Sequence, residues 1–270
     1  MKHYYDQNPE EDSGLPVLMP FYHVTKWQHL NSIMQHDSNN LKFESPNHNF
    51  EIFFHYGMPN YEPNLNDRKH ASKSIDPFPV AIELISNDLQ IEKIKYIFSP
   101  TDSGYLHKIH PTASLTINLE RLFIETEKLS DLREYYRKHV LNLFKNNKNY
   151  CQSKLNTPLY KIKNEFIEIN ELLEYFTSEA AADNRICTCE LILKSNSNGP
   201  KLLNIQGLVE KIYLPDEILS SPLNRSAIKK LLKFNDANNI IIYKIGKKNN
   251  AGILDCHKHI KKIVALKYEQ

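Results

Sequence analysis

The sequence predicts an α+β fold built around one core, and three observations carry that prediction. Strand-like runs come first, helical stripes fill the middle and strands return at the end. No regular strand–helix–strand alternation runs along the chain, which argues against a doubly wound sheet. With 41% hydrophobic and 10% aromatic residues in 270, there is enough apolar surface for a sizeable core. No internal repeat is visible. The reading is therefore a single domain over residues 1–270, with a polar arm at 1–14 and a helical insertion at 119–180.

Leu15 to Val24 reads as a strand, which Pro16 and Pro20 confine to an edge or an irregular segment. Thr25 is placed to cap a helix reaching His36, because Trp27, Leu30, Ile33 and Met34 recur at helical spacing. Phe50 to Tyr56 (FEIFFHY) is a strand ending at Gly57 and Pro59, and a polar loop follows from Asn60 to Pro77. Val80 to Ile85 and Tyr96 to Phe98 read as further strands, and Leu119 to Thr126 as a short helix. From Asp131 to Asn146 the residues Leu132, Tyr135, Tyr136, Val140, Leu143 and Phe144 form one helical stripe. A helix from Phe166 to Ser178 closes the middle. Ile186 to Leu193 and Leu208 to Leu214 read as strands, and Ser226 caps a helix to Phe234. Two β-rich runs, Ile240 to Ile245 and Ile260 to Tyr268, end the chain.

Several function classes drop out. A net charge of +2, from 34 basic and 32 acidic residues, is no nucleic-acid coat, although local lysine clusters can still meet phosphate. The four cysteines, Cys151, Cys187, Cys189 and Cys256, contain no CxxC pair, so zinc ribbons and thioredoxin-like sites are excluded. Cys187 and Cys189 are too close along the backbone for an ordinary disulfide. No apolar run approaches the length of a membrane span, and Met1 to Pro20 has no apolar signal region. The expected setting is a reducing cytoplasm with no membrane partner. P-loop, GxGxxG, HExxH and GxSxG motifs are missing. Asp102, Ser103 and Gly104 make a turn near His107 and His110, but Pro111 argues against the helix those histidines would need to hold a metal. No metal ligands are assigned.

Three segments can carry chemistry. In FYHVTKWQHLNSIM, His23 and Thr25 stand two apart beside a helix N-terminus, where imidazole, hydroxyl and free N–H groups can hold a ribose or a diphosphate. In IFFHYGMPNYEPN, Tyr56 and Tyr61 flank a glycine–proline turn and can stack on a flat heterocycle. In SEAAADNRICTCELIL, Asp183 and Arg185 precede a strand that holds Glu190 among apolar neighbours. Alternation sets Ile186, Thr188, Glu190 and Ile192 on one face and Cys187, Cys189, Leu191 and Leu193 on the other. A carboxylate inside an apolar strand is costly unless it is paired or faces a cleft. It is the strongest local break in pattern, and such breaks tend to mark functional sites. Each segment also has a bland reading: a helix cap, tyrosines sealing a core, and an ion-paired glutamate.

Taken in order, these segments resemble the DarT-type DNA ADP-ribosyltransferases and related bacterial toxins. The family opens with a His-x-Thr strand and an NLxxI-type helix, matched by His23-Val24-Thr25 and Leu30-Asn31-Ser32-Ile33. An FYF-type strand follows, near a Pro and a Tyr, as in Phe53-Phe54-His55-Tyr56 with Pro59 and Tyr61. An arginine then precedes a strand glutamate and two apolar residues, as in Arg185 and Glu190-Leu191-Ile192. The family's arginine after the aromatic strand has no counterpart: Met58 stands nearest, and the next arginine is Arg68.

The resemblance implies a split β-sheet core and an NAD-consuming transferase. Glu190 would be the catalytic carboxylate, and His23, Thr25, Tyr56, Tyr61, Asp183 and Arg185 would line the NAD site. It also implies a toxin of a defence or toxin–antitoxin system, with a nucleic-acid acceptor (DNA or RNA) and an antitoxin protein as partners. Lysines at 229, 230, 233, 247, 248, 261 and 262 could meet an acceptor's phosphates. The rivals are an NAD glycohydrolase and a non-catalytic RNA-binding module. An enzyme should have Glu190 lining a cleft with His23 and Tyr56; a binding module should bury Glu190 in an ion pair.

Overall fold

The computed structural model describes residues 15–35, 39–43, 50–60, 76–85, 91–102, 119–156, 187–196, 198–246 and 250–268, together with Lys2, Tyr5, Asn170, Leu172, Leu173 and Phe176. Tyr61, Asp183, Arg185, Lys247 and Lys248 lie outside the described residues.

The described strands are β1 (Phe21–Lys26), β2 (Asn40–Lys42), β3 (Phe50–Tyr56), β4 (Pro79–Leu84), β5 (Ile94–Ser99), β6 (Ile124–Thr126), β7 (Glu190–Ser195), β8 (Leu202–Asn204), β9 (Val209–Pro215) and β10 (Ile240–Tyr243). Eight form one mixed sheet in the order β10-β9-β4-β1-β3-β7-β5-β6, while β2 and β8 pair separately. The chain is thus α+β. β1 sits mid-sheet and not at an edge: its prolines fall before Phe21, so the strand itself keeps its ladder donors.

The ladders are unequal. β1 pairs with β4 over six residue pairs, and β3 with β7 over six, but β1 meets β3 only at Phe21–Tyr56 and Tyr22–His55. The sheet is therefore two four-stranded halves joined at a short seam. Neighbouring ladders also bring residues into one transverse row, Lys211–Glu83–Tyr22–His55–Glu190–Ser99, across six strands on one face.

The helices are α1 (Trp27–Gln35), α2 (Leu129–His139), α3 (Asn147–Cys151), α4 (Pro222–Leu231) and α5 (Asn250–Leu266). A π-helical turn, Val140–Phe144, continues α2. The face carrying Phe21, Phe54, Tyr56 and Phe98 is covered by α2, this turn and α3. Tyr136 stacks on Tyr56 at 4.6 Å between ring centres and meets Phe21 and Phe98 edge-on. The opposite face, with Tyr22, Glu83, His55 and Glu190, receives α5 and the residue after it, through Lys267, Lys261 and His257.

Several expectations need correction. Ile260 to Tyr268 is not a strand: Cys256, Ile260 and Val264 are buried at a four-residue interval, the stripe of α5. Leu119 to Thr126 splits into a 3-10 turn (Leu119–Leu122) and edge strand β6. Ser221, not Ser226, caps α4, because Pro222 at the first helical position presets its start. Thr25 does not cap α1, since β1 runs on to Lys26; its hydroxyl hydrogen-bonds instead with His29 Nδ1 at 3.1 Å. Leu172, Leu173 and Phe176, within the expected helix, are helical and fully buried. Among the described residues no helix is long and apolar enough to cross a membrane.

Candidate active site

β7 begins at Glu190, and its carboxylate lies on the α5 side of the sheet, only 2% exposed. Two neighbours face it. His55, its ladder partner on β3, sets Nε2 3.4 Å from Glu190 Oε1. Asp102 follows β5 and sets Oδ2 3.7 Å from the same nitrogen. The turn that delivers Asp102 is shaped by the Ser99 hydroxyl donating to the Thr101 carbonyl at 2.7 Å. From beneath the sheet, the Tyr136 hydroxyl donates to the Glu190 carbonyl oxygen at 2.9 Å and pins the backbone of the strand end.

Burial alone would make His55 harder to protonate. Hydrogen bonding with Asp102 and Glu190, and their negative charge, overcome it and raise its pKa from 6.5 to about 9. The other ring nitrogen pulls the opposite way. Asn60 N–H donates to Nδ1 at 3.3 Å, a contact that only an unprotonated Nδ1 can accept. Two close carboxylates outweigh one long N–H···N bond, so the ring is cationic at neutral pH and Asn60 moderates that preference.

The nitrogen and two carboxylate oxygens fall within 4.8 Å of one another, the composition of a divalent-cation site. The Asn60 contact directs the ring proton to Nε2. The nitrogen that faces the carboxylates is then a donor rather than a ligand.

Asn60 is itself 1% exposed and fully engaged. Its amide nitrogen donates to Thr188 Oγ1, and its amide oxygen accepts from Lys261 Nζ of α5 at 2.8 Å. His257, one turn earlier on α5, donates from Nε2 to the Pro59 carbonyl at 3.1 Å. The loop after β3 is so clamped between β7 and α5. Gly57 permits it: its φ of +68° is left-handed, and a Cβ there would come within 2.6 Å of Met19.

The other expected site residues that the structure describes do not join Glu190. His23 lies on β1 just past the seam and donates from Nδ1 to the Phe53 carbonyl at 3.1 Å, bridging strands that have already parted. Burial lowers its pKa to about 4, so it is neutral. Thr25 follows two residues on, and alternation from Tyr22 turns both His23, whose ring lies 5.6 Å from that of Phe54, and Thr25 to the face opposite Glu190.

Tyr56 does not join Glu190. Strand alternation turns it to the opposite face, where it is fully buried among Phe21, Tyr136 and Tyr150 and accepts the Met19 N–H at 3.1 Å. The adjacent His55 occupies the place expected of Tyr56. His55, Asp102 and Asn60 were not foreseen as site residues. Only His55 left a trace in the sequence, as an imidazole inside an apolar strand.

The arrangement can do carboxylate chemistry: Glu190 can accept from a hydroxyl or stabilise nearby positive charge, with a cationic imidazole holding it. Thiol chemistry is disfavoured, since burial pushes Cys151, Cys187 and Cys256 up to about 12. Comparison with models of protein families, with curated proteins and with solved structures finds no match to this chain.

Proposed function

We propose that the chain is an NAD-dependent ADP-ribosyltransferase with Glu190 as its catalytic carboxylate. The observation that carries this reading is Glu190's position: a held carboxylate, one strand from a seam where a mixed sheet divides into two halves. A split sheet is what the resemblance to DarT-type enzymes implies. His23 and Thr25 stand on β1 beyond the last shared rung, and Glu190 and His55 on the other half. Both β1 residues point to the Phe21 and Tyr56 face, so the reading rests on Glu190 with His55.

In this reading the nicotinamide–ribose bond breaks through an oxocarbenium-like state. Glu190 stabilises the ribose through its 2′-hydroxyl and helps deprotonate the incoming nucleophile. His23, neutral and turned to the face of Phe54, has no part beside Glu190. Tyr56 has no part in it. The acceptor we favour is nucleic acid, DNA or RNA, met by the exposed Lys229, Lys230 and Lys233 on and after α4 and Lys258 and Lys262 on α5. Lys261 leaves the set, because its ammonium is turned inward to Asn60. As an enzyme that modifies nucleic acid, the protein would act as a toxin and need an antitoxin partner.

A second reading has its own support. Glu190 is buried against His55, the arrangement expected of a non-catalytic RNA-binding module. The test is label transfer from NAD to purified DNA, RNA and total protein, each titrated with salt, with free nicotinamide followed in parallel. Label on nucleic acid that declines steeply with salt supports the proposal. Nicotinamide release without a labelled acceptor makes the protein a glycohydrolase. Binding to RNA with neither label nor release supports the module and ends the enzyme reading.

A further inference from the structure

We propose that Asn60 is a positioning residue, through which α5 sets the hydrogen bonding of His55 and so the seat of Glu190. The inference rests on the ADP-ribosyltransferase reading for its catalytic part only. Three contacts converge on one buried side chain and its own backbone. The amide group of Asn60 is held at one end by Thr188, two residues before Glu190, and at the other by Lys261 of α5. With both ends fixed, its backbone N–H is aimed at His55 Nδ1. That leaves Nε2 as the nitrogen that carries a proton towards Asp102 and Glu190. The imidazole therefore donates to the carboxylates in both its charge states. The groups acting on it are Asp102 after β5, Glu190 on β7, His23 on β1 and the Asn60 N–H.

A core asparagine that merely filled space would not oppose a proton on Nδ1. Here the N–H does so, because a protonated Nδ1 would point hydrogen at hydrogen. Freeing Asn60 should therefore let His55 hold its second proton to higher pH. The expected rise is roughly half a unit to one unit, the size of one net hydrogen bond.

The experiment follows the ring ¹⁵N resonances of His55 from pH 6 to 11 in the whole chain and in Asn60→Ala, Lys261→Gln and Lys261→Arg. Asn60→Ala changes no charge and keeps the backbone N–H, so a rise there reports that N–H released from its aim at Nδ1 once the side-chain anchors are gone. Lys261→Arg keeps a donor for the Asn60 oxygen and should titrate like the parent. Lys261 is half-buried on a helix surface, so its variants keep the fold even if Asn60→Ala does not. An upward shift in Asn60→Ala, with Lys261→Arg like the parent, supports the proposal. Lys261→Gln also loses a cation, so its rise alone does not. An unchanged titration in Asn60→Ala, or in Lys261→Gln should Asn60→Ala not fold, overturns it. In NAD turnover, kcat should fall about tenfold in the shifted variants, with KM within about twofold. A parent chain that does not turn over NAD would sink the transferase reading, while the ring titration would still decide the role of Asn60.

Discussion

Glu190→Gln separates a catalytic carboxylate from a structural one by two readouts on one protein. The substitution keeps volume and removes one of two charges on His55. In the folded chain the pKa of His55 is raised from 6.5 to about 9. A raised histidine contributes stability fully below its unfolded pKa, and loses it as pH climbs through the folded one. For this ring, at most about 3 kcal/mol is therefore lost between pH 6.5 and pH 9. Glu190 is the nearer carboxylate at 3.4 Å, but Asp102 remains at 3.7 Å, so roughly half of that contribution should survive. Near pH 6 the variant should be less stable than the parent by about 1–2 kcal/mol, and near pH 10 the two should converge. Turnover of NAD should drop by about a hundredfold or more at every pH, as expected for a group that meets the reacting ribose. Urea unfolding at pH 6, 7.5, 9 and 10, beside nicotinamide release, measures both. Undiminished turnover refutes the catalytic role. Equal stability slopes in the two proteins above pH 6.5 refute the coupling of Glu190 to His55.

On the acid side, burial holds His139 down to about 3 while its Nδ1 bonds the Tyr5 hydroxyl at 2.7 Å. Stability should therefore fall as pH drops below 6.5, and His139→Phe should flatten the slope by about 1.4 kcal/mol per pH unit in denaturant titrations. Lys267→Met removes the 2.6 Å contact to the buried Glu83 but leaves the donating hydroxyls of Tyr22 and Tyr213, so a loss of about 1–2 kcal/mol is expected by thermal unfolding. A loss under about 0.5 kcal/mol would mean that the tyrosines, with Lys211 at 3.9 Å, satisfy Glu83 without Lys267. Gly57→Ala combines left-handed backbone with a Cβ against Met19, and should cost about 1–3 kcal/mol along with local disturbance of Asn60, visible as a shifted His55 titration.

Much of the fold could be read from residues because local patterns were strong. FEIFFHY gave β3 with its observed bounds, and the stripe of Leu132, Tyr136, Val140, Leu143 and Phe144 placed the helical cover of the sheet. The β-branched content of Ile260 to Tyr268 misled, since its period of four matters more than its composition. Glu190 stood out because an apolar strand has no cheap place for a carboxylate. Its partners did not, for two reasons. The register of β3 against β7 is a tertiary fact, so nothing local says that His55 rather than Tyr56 lies opposite it. Asp102 reads as an ordinary turn residue, and its reach to His55 exists only once β5 is beside β7.

The short seam between β1 and β3 divides the polar row into two parcels with separate anchorage. Lys211, Glu83 and Tyr22 ride with one half of the sheet, while His55, Glu190 and Ser99 ride with the other, together with Asp102. Two ladder rungs and the Gly57 N–H to the Pro20 carbonyl, at 2.9 Å, are the backbone pairing that joins them among the described residues. Were the halves to swing apart, the carboxylate and its imidazole would travel as one rigid unit, their mutual geometry untouched. What would change is the distance from that unit to His23, whose bond to the Phe53 carbonyl is a latch across the gap.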